Sequence, residues 1–151
     1  GDLDSDLVFA GGDDGVVGRP VVRVAVVGSG PAGLSCAHHL VRMGYGVTVF
    51  ESLPVAGGMM RVGIPAYRLP REVLQREIDV IVSEGVEIRL NTPVRDINGL
   101  FDDGFSAIFL AIGAHEPQRL GIEGEDAAGV YHGVPFLQAV SLAGGVRGCL
   151  R

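Results

Sequence analysis

Val21-Val22-Arg23-Val24-Ala25-Val26-Val27 followed by Gly28-Ser29-Gly30-Pro31-Ala32-Gly33 is the stretch that decides the fold. The β-branched run reads as a strand buried on both faces in a parallel sheet. The six residues after it are a G-x-G-x-x-G turn. Pro31 suits a first helical turn, where its missing N–H has no cost, and Leu34, Ala37, His38 and Val41 continue at helical spacing until Gly44. Gly46 to Glu51 reads as a second strand, which completes a βαβ unit in about thirty residues.

Each part of the turn has a physical task. Gly28 permits the tight turn, Gly30 lets a pyrophosphate approach bare backbone, and Gly33 lets helix and strand pack closely. The helix N-terminus offers unpaired N–H groups and about half a positive charge to phosphates. Glu51, at the end of the second strand, is placed to accept hydrogen bonds from an adenosine ribose, and its charge would repel a 2′-phosphate. The turn and the acid do not separate FAD from NAD.

Downstream, a glycine- and proline-rich connection covers Leu53 to Pro70, and Val73, Leu74, Ile78, Ile81 and Val82 then repeat as an amphipathic helix ended by Gly85. Val86 to Leu90 reads as a third strand. Asp102, Asp103 and Gly104 mark a turn, and Ser106 to Ile112 reads as a fourth strand with a nearly continuous apolar core. The fold expected is α/β, a central parallel sheet flanked by helices in the Rossmann manner.

Composition sets the outer limits. The chain has 151 residues and a net charge of −6, enough for one ordinary core. Its 24 glycines are more than twice the ~7% of average usage but show no collagen period. All 12 basic residues are Arg, so lysine Schiff-base chemistry and a lysine phosphate loop are excluded. The acidic balance without a basic stripe argues against nucleic acid. No apolar run is long enough to span a bilayer, and the reading expects a cytoplasmic protein. Cys36 and Cys149 belong to no C-x-x-C, and the four histidines lack metal-ligand spacing, so no metal site is expected. Residues 1–20, rich in Asp, read as an acidic flexible linker.

Gly57-Gly58-Met59-Met60, Gly63-Ile64-Pro65 and Arg68-Leu69-Pro70 follow the acid in order. With these motifs the chain resembles the FAD-binding part of the glutamate synthase small subunit family, which includes the flavin domain of dihydropyrimidine dehydrogenase. The resemblance covers about Val24 to Leu137. It implies a Rossmann-like FAD-binding domain over residues 21–137, incomplete relative to the full family fold, with 138–151 starting the connection to an NAD(P)H-binding domain. The site it implies comprises Gly28, Ser29, Gly30, Pro31, Ala32 and Gly33 at the pyrophosphate, Glu51 and Ser52 at the ribose, and Gly58, Met59 and Arg61 near the cofactor. Val94 matches a backbone contact to adenine, and Ala111 and Gly113 stand where the family has Ala-Thr-Gly, with Ile112 as a departure. No catalytic acid or base is implied.

The family's second nucleotide fingerprint and its cysteine-rich iron-sulfur region do not occur in these residues; Gly144-Gly145-Val146-Arg147-Gly148 follows no strand and is not read as that fingerprint. The expectation is therefore an FAD-binding fragment of an NAD(P)H-dependent flavin oxidoreductase, inactive alone, whose partners are other domains or subunits, iron-sulfur proteins among them. Two alternatives are a structural module with a vestigial site and an NAD-binding dehydrogenase domain.

Overall fold

The computed structural model describes residues 21–143. The acidic linker, the Gly144–Gly148 stretch and Cys149 lie outside these residues. The element order is β1 (Arg23–Val27), α1 (Pro31–Arg42), β2 (Gly46–Phe50), α2 (Met59–Val62), α3 (Arg71–Ser83), β3 (Glu87–Arg89), α4 (Ile97–Asp102), β4 (Ala107–Leu110) and α5 (Gly133–Leu142). The strands form one parallel sheet in the order β3-β2-β1-β4.

β1 and β2 lie at the centre, and all but the first residue of each is buried, as their β-branched runs require. On one side of the sheet Val26, Val47 and Val49 pack with Ala37 of α1 and with Val86, and Cys36, Leu40 and Val41 close over them. Each such valine withdrawn from water contributes about 1.5–3 kcal/mol. Leu34 of α1 meets Leu74 and Ile78 of α3, the face their spacing marks out. On the other side Ala25, Val27 and Phe50 pack with Leu100 of α4 and with Phe105.

Four differences from the sequence reading have physical causes. The connection from Leu53 to Pro70 contains the four-residue helix α2, too short for any periodicity to show. Residues 97–102, ahead of the expected turn, are a helix opened by Asp96, whose carboxylate accepts from the Asn98 N–H at 2.9 Å. β4 is largely exposed, with Leu110 at 53%, although its residues are apolar. An apolar run reports suitability for two-sided burial, and among the described residues β4 has β1 as its one strand neighbour. α5 runs through the 137/138 boundary, and Pro135 fits there because a first helical turn needs no bonded N–H.

The sheet opens a crevice at the carboxyl ends of β1 and β4, where the strand order departs in opposite directions from β1. Gly33 fixes how closely α1 approaches that end: a Cβ there would lie 1.9 Å from the Gly28 carbonyl oxygen and 3.2 Å from Val26 Cγ1. A Cβ on Gly30 would meet nothing within 4 Å. Gly33→Ala should therefore lower the melting temperature, with an overpacking cost of about 1–3 kcal/mol and a drop of several degrees. Gly30→Ala should leave melting of the ligand-free chain nearly unchanged. Thermal denaturation of both variants by circular dichroism checks the pair.

Candidate dinucleotide-binding site

β1 delivers Gly28 to the crevice with φ at +105°, a conformation open to glycine, and its missing side chain leaves room for the Ala111 carbonyl oxygen, which a Cβ would approach to 2.3 Å. α1 begins at Pro31 with no side-chain cap, so the helix N-terminus presents its first-turn N–H groups to the crevice rather than to its own chain. The cavity has a volume of about 390 Å³ and lies between the turn after β1, the ends of β2 and β4, and the start of α2. That size falls within the ~300–1,000 Å³ of small-molecule sites.

Twelve of the fourteen sequence-assigned residues line this cavity: Gly28, Ser29, Gly30, Pro31, Ala32, Glu51, Ser52, Gly58, Met59, Val94, Ala111 and Gly113. Gly33 does not. It is buried beneath the turn and acts through packing. Arg61 is also absent from the lining; it sits on α2 near Arg71, whose guanidinium is pushed below its usual value by burial and then by the Arg61 charge. Arg68 is exposed on the loop beyond α2. The cavity adds Phe50, Leu53, Thr92, Ile112, Ala114, His115 and Gln138. Ile112 lines the cavity from a position that is 67% exposed.

α2 is held at both ends. At its start Gly58, with φ at +52°, lies against the turn so closely that a Cβ would come within 2.7 Å of Gly30 Cα. Gly57 N–H donates to the Ser29 carbonyl oxygen and to Ser29 Oγ, both at 3.1 Å. At its end the Arg71 guanidinium donates to the carbonyl oxygens of Met60 at 3.0 Å and Ile64 at 2.9 Å, and Ser141 Oγ on α5 donates to that of Val62 at 3.1 Å. These bonds satisfy carbonyl groups that a helix end leaves without internal partners.

Glu51 is 5% exposed and its carboxylate is saturated with donors from the chain. Oε2 accepts from Ser29 N–H at 3.0 Å and Ser29 Oγ at 2.5 Å. Oε1 accepts from Leu53 N–H at 2.8 Å and, at 3.3 Å, from the hydroxyl of exposed Ser52. Burial pushes this carboxyl up, but the bonds from Ser29, Leu53 and Ser52 outweigh it and hold it below the usual carboxylate range. The serine hydroxyls on Glu51 carry no sequence signal beyond their polarity, because what matters is the fold bringing position 29 to position 51.

The sheet order, the glycine turn at its switch point and the acid at the end of β2 define a Rossmann-type fold of the kind that binds FAD or NAD(P). Residues 22–142 match the family described as pyridine nucleotide-disulphide oxidoreductase, and the chain belongs to that family. It is 46% identical over 138 residues, 88% of its length, to the NADP(+)-dependent formate dehydrogenase subunit beta of Moorella thermoacetica. It is 44% identical over 120 residues, 78% of its length, to the glutamate synthase [NADPH] small chain of Escherichia coli (strain K12), which bears out the resemblance read from the motifs. The chain spans 19% and 25% of the lengths of these two relatives. Its fold superimposes on FprA from Mycobacterium tuberculosis, solved as a His57Gln mutant, with a TM-score of 0.72, covering 80% of this chain and 29% of that one at 23% identity. Among the described residues no helix is long and apolar enough to cross a membrane.

Because the folded carboxyl titrates below its unfolded value, the Glu51 contribution to stability is present above the unfolded pKa and disappears as pH falls through the folded one. Glu51→Gln brings an amide N–H₂ against donors and should destabilise the chain by about 2 kcal/mol at pH 7. The gap between variant and native chain should narrow as acid protonates Glu51. Urea unfolding at pH 7 and at pH 4 measures it; a gap that stays constant contradicts the assignment.

Proposed function

We propose that this chain is the FAD-binding part of an NAD(P)H-dependent flavin oxidoreductase, with NAD(P)H bound by a domain outside these residues and electrons relayed to iron-sulfur centres or a partner subunit. The observation that carries the reading is the crevice itself. Open backbone at Gly30 and an uncapped helix N-terminus line it together with the buried carboxylate of Glu51, which Ser29 holds against the same turn.

The residues fit an adenine dinucleotide in sign and space. The first-turn N–H groups of α1 and the bare Gly30 would hold the pyrophosphate. Glu51 would take the adenosine ribose, and Ser52, whose 3.3 Å bond is the longest to that carboxylate and comes from an exposed side chain, is the donor a ribose hydroxyl would replace. Val94 lines the cavity where the adenine would lie, and Gly58 and Met59 approach from the flavin side. The seating of Gly58 on Gly30 supports a part for the Gly57-Gly58 motif in this site. When bound, FAD supplies the hydride-accepting ring, while the protein contributes position and electrostatics.

The relatives support the larger context. Both are named as subunits or chains of NADP(H)-linked enzymes, so a role beside further domains or subunits follows for this protein as part of the proposal. The test is a titration of the purified chain with FAD, read by flavin fluorescence and visible absorbance, with NAD in parallel. Saturable FAD binding with a perturbed flavin spectrum, at least ten times tighter than NAD, is expected; preference for NAD would favour the dehydrogenase reading instead.

A further inference from the structure

We infer that Ser29 is a positioning residue whose buried hydroxyl relays the Gly57 N–H to the Glu51 carboxylate, locking the phosphate turn, the ribose acid and the α2 entry turn into one charged, preformed site. The side chain is 0% exposed, so it cannot serve as a freely presented ligand group. Its hydrogen-bond directions are fixed by its partners. Gly57 N–H is a donor only, so Oγ accepts from it at 3.1 Å. The ionised Glu51 is an acceptor only, so the hydroxyl proton points to Oε2 at 2.5 Å.

This arrangement favours Glu51 charged over Glu51 protonated on Oε2. Were Oε2 to carry a proton, Ser29 Oγ would face donors from both Gly57 and Glu51, and its own proton would lose its acceptor in a buried position. An unsatisfied buried donor is costly, so the relay favours the carboxylate. The other groups packed against Glu51 do not duplicate this effect. Ser52 and Leu53 come from its own loop and bond to Oε1. Thr92, after β3, donates its N–H to the Glu51 main-chain carbonyl at 2.8 Å. Arg89 on β3 pairs with Glu87 at 2.8 Å, and among the described residues no charged side chain bonds the Glu51 carboxylate. The charge at the ribose position is thus maintained by neutral hydroxyl and amide donors.

The same hydroxyl fixes where α2 begins. Gly57 is bonded to Ser29 through both its carbonyl oxygen and Oγ, and the next residue, Gly58, rests on Gly30. A change at Ser29 should therefore be felt at Glu51 and at Gly57 together.

The consequence for FAD rests on the reading proposed above, and the test separates the two. In the full chain, the Glu51 side-chain carboxyl is titrated by carbon NMR, assigned by its loss in Glu51→Gln, in the native protein and in Ser29→Ala. Amide exchange at Gly57 and the pH dependence of FAD affinity are followed in parallel. Ser29→Ala is expected to raise the Glu51 midpoint by about one pH unit, roughly a tenfold gain in proton affinity, to speed Gly57 exchange several-fold, and to move the acid limb of FAD binding upward with the carboxyl. Ser29→Thr, which keeps the hydroxyl, should restore the native midpoint. An unmoved Glu51 titration in Ser29→Ala overturns the relay whether or not FAD binds. A shifted titration with no FAD binding by either protein supports the relay and refutes the flavin reading.

Discussion

The carbonyl oxygen of Gly28 occupies the place a side chain on Gly33 would take, 1.9 Å from that missing Cβ, and the rest of the site depends on this contact. It allows α1 to start directly against the end of β1, so that the helix N-terminus opens into the crevice between β1 and β4. A larger residue would push the helix away and carry the phosphate-facing amides with it. Gly28 makes a second close contact, with the Ala111 carbonyl, which brings the end of β4 against the same turn. Two absent side chains thereby join β1, α1 and β4 at one point.

Glu51 completes the arrangement with the opposite sign. The crevice has a helix N-terminus, favourable to anions, and against the same turn a carboxylate held charged by four chain donors. Phosphate suits the first and neutral hydroxyls the second, as in the adenosine diphosphate half of the dinucleotide proposed above. α2, tied to Ser29 through Gly57 at its start and held by Arg71 and Ser141 at its end, lines the crevice with Met59.

Much of this was legible in the amino-acid order because it is local. The β1–α1–β2 unit is written in short-range patterns: a β-branched run, glycines at fixed offsets, Pro31 at the helix start and an acid at the strand end. α2, α4 and α5 were not read, since four residues carry no period, Asn98-Gly99 resembles a turn, and Pro135 resembles a break. Asp96 was the available signal for α4, an N-cap before a short apolar stretch. Gln138 reaches the cavity through long-range packing that no spacing encodes, while His115 lines it two residues beyond Gly113. The resemblance implies Arg61 near the cofactor, whereas the fold places it beside Arg71 and outside the cavity lining. The burial of β4 was overestimated because an apolar strand does not say how many neighbours it has.

In the proposed function the turn from Gly28 to Ala32 holds the pyrophosphate, and the carboxylate of Glu51 the ribose, of one FAD molecule. The most direct test of this reading is an amide NMR map of the isotopically labelled chain as FAD is added. The largest shifts are expected at Ser29 to Gly33, at Glu51 to Leu53 and near Val94, with the groove between α3 and β3 lined by Pro54, Gln75 and Leu90 unaffected. Shifts concentrated in that second groove, or spread without regard to the turn and Glu51, would contradict it.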